Sequence, residues 1–320
     1  MACRRPGRTG TSQMTDLRAP IILIAFNRPE CTARVLAALA SVAPRQLFVI
    51  GDGPRPGHPT DSARVGQVRQ QFERLGWPCE VITDFAASNL GCRRRVVTGL
   101  NWAFGQVEEA IILEDDIVPS PPFFRFCDEL LARYRDCDRI GSISGMNFAG
   151  ARYTPEASYA FSKYNLFWGW ATWRRAWARY DDAMSCVGVA GEDGLDTVLA
   201  RTFQLYRERI YWRTLLQRTA RDQINSWGYR WLLSCWKAGM LGITPCVSLA
   251  ENIGVGVDAT HTRADLYDVG PVGEMNFPLS HPSNIAADVK LDRAIEDSIY
   301  SRDFFARLAW LIAKMRRLIP

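Results

Sequence analysis

The amino-acid sequence predicts an α/β protein built on a mostly parallel β-sheet with helices on both faces. Short apolar runs such as 21–26 alternate with amphipathic stretches such as 29–41 along the first half of the chain. This alternation is typical of strand–helix–strand units, whose strands pair in parallel. The run 21–26 is also apolar at every position, as expected of a central strand that is buried on both faces.

The first half contains four predicted strands and four predicted helices. The helix at 29–41 follows from Pro29 and Glu30, which suit a first turn, and from an apolar face. The strands are predicted at 21–26, 47–50, 80–83 and 110–113, and the helices at 29–41, 65–75, 92–106 and 123–134.

The second half is less regular. It predicts a strand at 140–144, helices at 173–180, 196–218 and 227–238, and short strand-like pieces at 243–245 and 247–249. Tryptophan is frequent between the first two of these elements, and 251–300 shows little periodicity. We therefore expect this half to be a region of insertions around one edge of the sheet.

Composition excludes several classes of protein. Hydrophobic residues make up 48% and charged residues 23% of the 320 residues, which is ordinary for a globular chain. The net charge of +5 is concentrated at the ends of the chain, so no basic groove for nucleic acid is expected. The nine cysteines show no short repeated spacing, which argues against disulfides and structural zinc. No bilayer-spanning or secretory segment is predicted, and we expect a cytoplasmic protein.

Polar segments follow three of the predicted strands directly. They are Asn27-Arg28, Gly51-Asp52-Gly53 and Glu114-Asp115-Asp116. Ligands of parallel α/β sheets bind beyond the carboxyl ends of the strands. The three segments therefore predict a ligand site at one edge of the sheet.

The acidic triplet 114–116 suggests a metal. Adjacent carboxylates repel one another unless a cation compensates them. Mg²⁺ or Mn²⁺ binds one or two carboxylates and completes its shell with water and phosphate oxygens. The alternative is a solvated acidic turn before the proline-rich helix start at 119–122.

Several segments resemble a known family. AFNRPE, GDGPR, NLGCRRRVVTGLNWAF and AIILEDDIVPSPPFF are similar to the nucleotide-sugar half of GT-A glycosyltransferases. LFWGWATWRRAW, SWGYRW and SLAENIGVGVDATHT resemble bacterial sugar transferases distantly related to the N-acetylglucosaminyltransferase I group. The resemblance covers about 19–262. It implies a GT-A-like, Rossmann-type fold, a nucleotide-diphosphosugar donor (usually a UDP-sugar), a saccharide or lipid-linked acceptor, and Mn²⁺ or Mg²⁺.

The resemblance also implies roles for the polar segments. Asp116 would be the direct metal ligand, and Asp115 and Glu114 would contact the ribose or metal-bound water. Asp52 would accept a hydrogen bond from the base.

Three further roles follow from the same resemblance. Asn27 and Arg28 would lie along the nucleotide. Arg93 would face the diphosphate, although Arg94 or Arg95 could take that place, since the sequence does not show which one points inward.

Residues of the second half are candidates as well. His261 would be a further metal or phosphate ligand, and the alternative is a loop histidine that orders 251–262. Trp168 and Trp170 are candidates for stacking on a sugar ring, because Gly169 suggests a close approach of the backbone. Trp173 and Trp177 are expected in the core.

The catalytic base of an inverting transfer is the least defined residue. No acid directly follows the Trp-Gly-Trp segment. The candidates are Asp222 and the pair Glu192 and Asp193, with the alternative that Asp222 starts a helix. By the same resemblance, Gly228 stands where some relatives carry an acid, and Arg230 would bind acceptor or phosphate.

The predicted organisation has three parts. Residues 1–18 form a disordered tail, and 19–300 a transferase domain with its donor half at 19–118 and its acceptor half at 119–300. Residues 301–320 form a basic amphipathic helix, suited either to an anionic membrane surface or to docking on the body.

The predicted function is transfer of a sugar from a nucleotide diphosphate, and the resemblance implies that the transfer inverts the sugar. The alternatives are a non-catalytic sugar-nucleotide-binding or scaffold protein, and a nucleotidyltransferase. The latter is disfavoured because no glycine-rich loop follows the first strand.

Overall fold

Strands and helices alternate through the first half of the chain as the apolar runs predict. The computed structural model describes residues 17–254 and 269–298, so most of the tail, His261 and the helix predicted at 301–320 lie outside the described residues. The first elements are β1 (Ile21–Ala25), α1 (Pro29–Ala40), β2 (Gln46–Gly51), α2 (Asp61–Gln70), β3 (Glu80–Phe85), α3 (Cys92–Phe104), β4 (Glu109–Glu114), β5 (Ile117–Pro119) and α4 (Pro121–Arg133).

The second half adds further strands and a group of helices. These are β6 (Ile140–Ser144), β7 (Tyr159–Ser162), β8 (Trp170–Trp173), α5 (Arg174–Trp177), α6 (Leu195–Thr202), α7 (Tyr206–Ala220), α8 (Trp227–Ala238), β9 (Leu241–Pro245) and β10 (Ala250–Asn252). A last helix is described over 289–298.

One eight-stranded sheet runs through the described residues in the order β3-β2-β1-β4-β8-β6-β9-β7. Strands β3, β2, β1 and β4 are parallel, and β6 and β9 run in the same direction. Strands β8 and β7 are antiparallel to their neighbours. The predicted fold class is confirmed: a mixed α/β protein with a mostly parallel central sheet flanked by helices.

The prediction that the second half consists of insertions is wrong. Four of its strands, β6 to β9, belong to the central sheet. The predicted helix 196–218 is also two helices, α6 and α7. They are separated at Phe203, which has an extended backbone and is completely buried.

The central strands are buried, and helix α3 packs closely against them. The apolar residues of β1, β2 and β4 are almost entirely buried. Gly99 of α3 lies directly on Ile50 of β2, where a β-carbon would collide with that side chain. Helix α3 therefore packs closely on the sheet, and its first turn lies at the carboxyl edge of the strands.

A two-stranded sheet lies next to that edge. Strand β10 pairs antiparallel with β5, so Asn252 lies opposite Ile117. Just beyond it, the Ile253 amide donates to the Asp116 carbonyl at 2.8 Å. Among the described helices, none has the length and apolar character needed to span a bilayer.

Candidate functional site

The structure brings the three predicted polar segments together, because β2, β1 and β4 are neighbours. The backbone amide of Phe26 donates to Asp115 Oδ2 at 2.9 Å. Arg28 Nη1 lies 2.5 Å from Asp116 Oδ2 and 3.9 Å from Asp115 Oδ1. The end of β1 thus supplies a cation and an amide to the acidic triplet at the end of β4.

This cation compensates the triplet only in part. Burial, together with the charges of Asp116 and Asp115, raises the pKa of Glu114 to about 8. Burial and the charge of Asp116 raise the pKa of Asp115 to about 7. Arg28 opposes both shifts but does not cancel them, and a further cation at this edge would favour the ionised carboxylates.

Gly254 closes over one side of the triplet. A β-carbon at this position would collide with Asp116 Oδ2. The Gly254 amide donates to Asn252 Oδ1 at 2.9 Å, which holds the chain in this turn. Residues 255–268, which include His261, continue from this point and lie outside the described residues.

Asp52 holds the loop that leads into α3. Its carboxylate accepts hydrogen bonds from the amides of Gly53, Leu90 and Gly91 at 2.8, 2.8 and 3.0 Å. The Asn89 side chain adds a fourth at 3.0 Å. Both oxygens are engaged in holding the loop, a role that the sequence did not predict. The expected hydrogen bond from a nucleotide base stays a prediction.

The first turn of α3 faces the triplet. Its N-cap, Gly91, has φ of 79° and provides no side-chain cap, so the amides at 92–94 point outward from the helix end. The Cys92 thiol has its pKa raised to about 12, first by burial and then by the charges of Glu114 and Asp52. A helix N-terminus with open amides favours an anionic group.

Asn27 contributes to a neighbouring polar network. Its amide donates to Asp61 Oδ1 at 2.8 Å, and Arg55 Nε donates to Asp61 Oδ2 at 2.6 Å. The hydrogen bonds from Arg55 are the largest cause that holds the pKa of the buried Asp61 far below its ordinary value. The sequence gives no signal for this role of Asp61, because an acid in the first turn of a helix such as α2 is common.

Arg93 and Asp222 form an ion pair at 2.5 Å between Nη1 and Oδ1. Asp222 also accepts from Arg230 Nη2 at 2.9 Å. Hydrogen bonding from Arg93, the largest cause, lowers the pKa of Asp222. A carboxylate held by two guanidiniums is a poor proton acceptor, so the geometry favours a positioning role for Asp222 over that of a base.

Two predicted binding residues are buried and need correction. Arg230 is 2% exposed, and its guanidinium is bound to the carbonyls of Asp182, Ser226 and Thr219. Its guanidinium is buried and occupied by these backbone carbonyls, so it cannot bind an acceptor. Among the alternatives to Arg93, Arg95 is buried against Asp84, whereas Arg94 is exposed.

The Trp-Gly-Trp segment at 168–170 leads into strand β8, which begins at Trp170. Trp170 pairs with Ile112 in antiparallel register. Trp168 lies just before this strand, and its ring packs against Phe148 with the ring centroids 5.1 Å apart. Trp168 is half-buried and remains a candidate for stacking on a sugar. The prediction that Trp170 binds substrate is wrong, since its ring is 1% exposed and stacks on Trp227 at 5.9 Å.

The remaining predicted residues are two tryptophans, the acidic pair before α6 and Gly228. Trp173 and Trp177 are buried, as expected. Glu192 and Asp193 are exposed in the loop before α6, and no hydrogen bond connects them with the triplet within the described residues. Gly228 has no room for an acid, because even a β-carbon would collide with the Phe167 ring.

The side chains at this edge are those that a divalent metal would use. Three carboxylates offer the hard oxygen ligands that Mg²⁺ and Mn²⁺ prefer. Burial first, and then the neighbouring carboxylates, raise the pKa values of Glu114 and Asp115, and a bound cation would favour their ionised forms. The described residues nevertheless contain no group of three side chains already arranged around a metal position. The donor set fits a divalent cation in its chemistry, with Asp116 now paired to Arg28.

Comparison with known proteins adds a distant likeness in fold. No protein-family model matches the chain, and no curated protein does. Among solved structures, 41 chains match. One is the mannosyltransferase PcManGT from Pyrobaculum calidifontis in complex with GDP-Man and Mn²⁺, at 12% identity over 69% of each chain and a TM-score of 0.35. A likeness at this level supports no statement about activity.

Proposed function

We propose that the chain is a glycosyltransferase that binds a nucleotide-diphosphosugar at the carboxyl edge of β1, β2 and β4. The observation that carries this proposal is the meeting of Arg28, the acidic triplet and the open first turn of α3 at one edge. A cation and a helix N-terminus suit a diphosphate, and carboxylates suit a metal and a ribose. The resemblance of the sequence motifs to GT-A transferases supports the same assignment.

In this proposal Asp116 would hold Mn²⁺ or Mg²⁺, with Glu114 and Asp115 toward the ribose or metal-bound water. The cation would supply positive charge that stabilises the leaving diphosphate. Arg28 would contact the diphosphate from the side of β1, and the α3 amides from the opposite side. Asp52 holds the loop that presents those amides.

Trp168 would form one wall for the transferred sugar, since it is half-buried and directly precedes the strand that pairs with β4. Arg93 would be held toward the diphosphate by Asp222. The acceptor, a saccharide or a lipid-linked sugar, would enter on the side of α7 and α8. No residue is assigned here as the base.

The test is a thermal-shift series with UDP-, GDP-, CMP- and dTDP-sugars, each with and without Mn²⁺. We expect one nucleotide class to raise the melting temperature in the presence of Mn²⁺. The substitution D116N should abolish the part that depends on Mn²⁺. D136N, at an exposed site before β6 on the opposite end of the sheet, is the matched control. If the nucleotide-sugar stabilises both D116N and D136N without any dependence on Mn²⁺, Asp116 is not the metal ligand.

A second candidate is a sugar-nucleotide-binding protein without catalysis. It is favoured by one observation, namely that Asp222 is engaged by two arginines. Donor hydrolysis and transfer to saccharide or lipid-linked acceptors would separate the candidates. Binding without turnover across these acceptors would favour the non-catalytic protein.

A further inference from the structure

Helix α7 exposes a face that is both basic and apolar. Tyr206 is 74% exposed and Ile210 is 37% exposed. Arg207, Arg218 and Arg221 are exposed at the same side of the helix and just past its end. At 100° per residue these five side chains fall within an arc of about 120°.

The opposite side of α7 holds the helix on the body. The core positions there are Glu208, Trp212, Leu216 and Thr219. The exposed arc therefore faces away from the body of the protein, and packing of the buried side of α7 fixes its orientation.

Positive charge on this face is not compensated. Glu208 is the acid within α7, and it is buried, with its pKa raised by burial and by contact with Glu296. The side chains of Arg207, Arg218 and Arg221 form no ion pair or hydrogen bond with the described residues. The face thus presents three guanidinium groups and no carboxylate.

We propose that this face of α7 docks the protein on an anionic membrane surface. Arginines interleaved with exposed aromatic and aliphatic side chains on one helix face are the pattern of helices that lie at a lipid interface. Leu205, directly before the helix, is 36% exposed and extends the apolar part. A nucleic acid would satisfy the charges but leave Leu205, Tyr206 and Ile210 without a partner.

The position of α7 fits this partner. Its first turn touches the helix over 289–298 through Glu208 and Glu296. The described chain ends at residue 298, and 301–320 continue with five Lys and Arg against one Asp in an apolar sequence. The other end of α7 lies next to Arg93 at the start of α3. Docking by α7 would therefore place the candidate site near the membrane.

The first experiment measures co-sedimentation of the full chain with vesicles. Vesicles of phosphatidylcholine with 30% phosphatidylglycerol are compared with vesicles of phosphatidylcholine alone. We expect binding to the anionic vesicles only, and R207E/R218E should lower the partition coefficient by about fivefold or more. The control R34E/R74E changes the net charge equally at exposed positions on α1 and after α2. Equal partition of the two variants would overturn the proposal.

The second experiment tests the apolar part. Y206S/I210S should weaken binding to anionic vesicles, whereas V189S/V272S, at two other exposed apolar positions, should bind as the wild type does. Circular dichroism and melting temperature confirm that each variant folds. Binding of the wild type to double-stranded DNA with none to anionic vesicles would also overturn the proposal. No donor is present in either assay, so the outcome is independent of the proposed transferase activity.

Discussion

Arg93 at the start of α3 and Asp222 after α7 form a direct ion pair, with Nη1 and Oδ1 2.5 Å apart. The pair joins two elements that are separated by 129 positions in the sequence. It connects the first turn that faces the acidic triplet with the helical region formed by α7 and α8.

The substitution D222N should weaken donor binding about two- to fivefold and leave kcat nearly unchanged, because it releases Arg93 from an exposed pair. Calorimetric Kd and steady-state kinetics measure the two effects. D196N removes a comparable exposed pair with Arg213 and serves as the control. A fall in kcat of about 10²-fold or more at unchanged Kd would instead identify Asp222 as the base.

The substitution G254A should destabilise the fold by about 1–3 kcal/mol, because its β-carbon would displace the Asp116 carboxylate. It should also reduce stabilisation by donor with Mn²⁺. Urea denaturation measures the first effect and thermal shift the second. G66A lies in α2 with open space around it and should be neutral or stabilising. Equal behaviour of the two variants would contradict the close contact of residue 254 with Asp116.

The substitution D52N should cost about 2–4 kcal/mol of unfolding free energy, because the new amide NH₂ cannot accept the hydrogen bonds that one carboxylate oxygen accepts. Donor binding should weaken as well, since the loop before α3 would loosen. Urea denaturation and thermal shift with donor are the measurements. D136N, an exposed replacement of the same kind, should stay within about 0.5 kcal/mol of the wild type. A loss of donor binding at unchanged stability would favour a direct contact of Asp52 with the nucleotide.

The substitution D292N should alter how stability depends on pH. Burial raises the pKa of Asp292 to about 6, so the folded chain binds this proton more tightly than the unfolded chain does. The stability from this group is complete below pH about 4 and is lost as pH rises through about 6, by up to about 3 kcal/mol. The asparagine can still accept from Ser162, which donates at 2.6 Å.

We therefore expect unfolding free energies measured between pH 5 and 7.5 to fall less for D292N than for the wild type. D297N, at an exposed neighbouring position, should follow the wild type. Identical slopes for D292N and the wild type would contradict the raised pKa.

The sheet edge could be predicted from the sequence because local patterns define it. Apolar runs ended at Asn27, Asp52 and Glu114, and parallel pairing of sequential strands makes such ends neighbours. The direction of long side chains could not be predicted in this way. Arg28 turns toward Asp116, and Arg230 turns inward, because contacts with distant parts of the chain orient them.

Strand β8 was missed for a related reason. Its sequence, Trp-Ala-Thr-Trp, is too short and too aromatic to show a strand period, and a helix follows it at once. The sequence alone therefore makes Trp170 a candidate for binding a sugar. Its burial and its contact with the Trp227 ring place it in the core.

The place of β8 between β4 and β6 has a consequence for how the chain assembles during synthesis. Strands β1 to β4 can associate as soon as residue 114 has left the ribosome. The remaining strands cannot join them until residues 170–173 have emerged to bridge the two groups, and β9 must follow to complete the far edge. Until then β4 has an open, strongly apolar border, so this stage of translation is where the nascent chain is most exposed to aggregation.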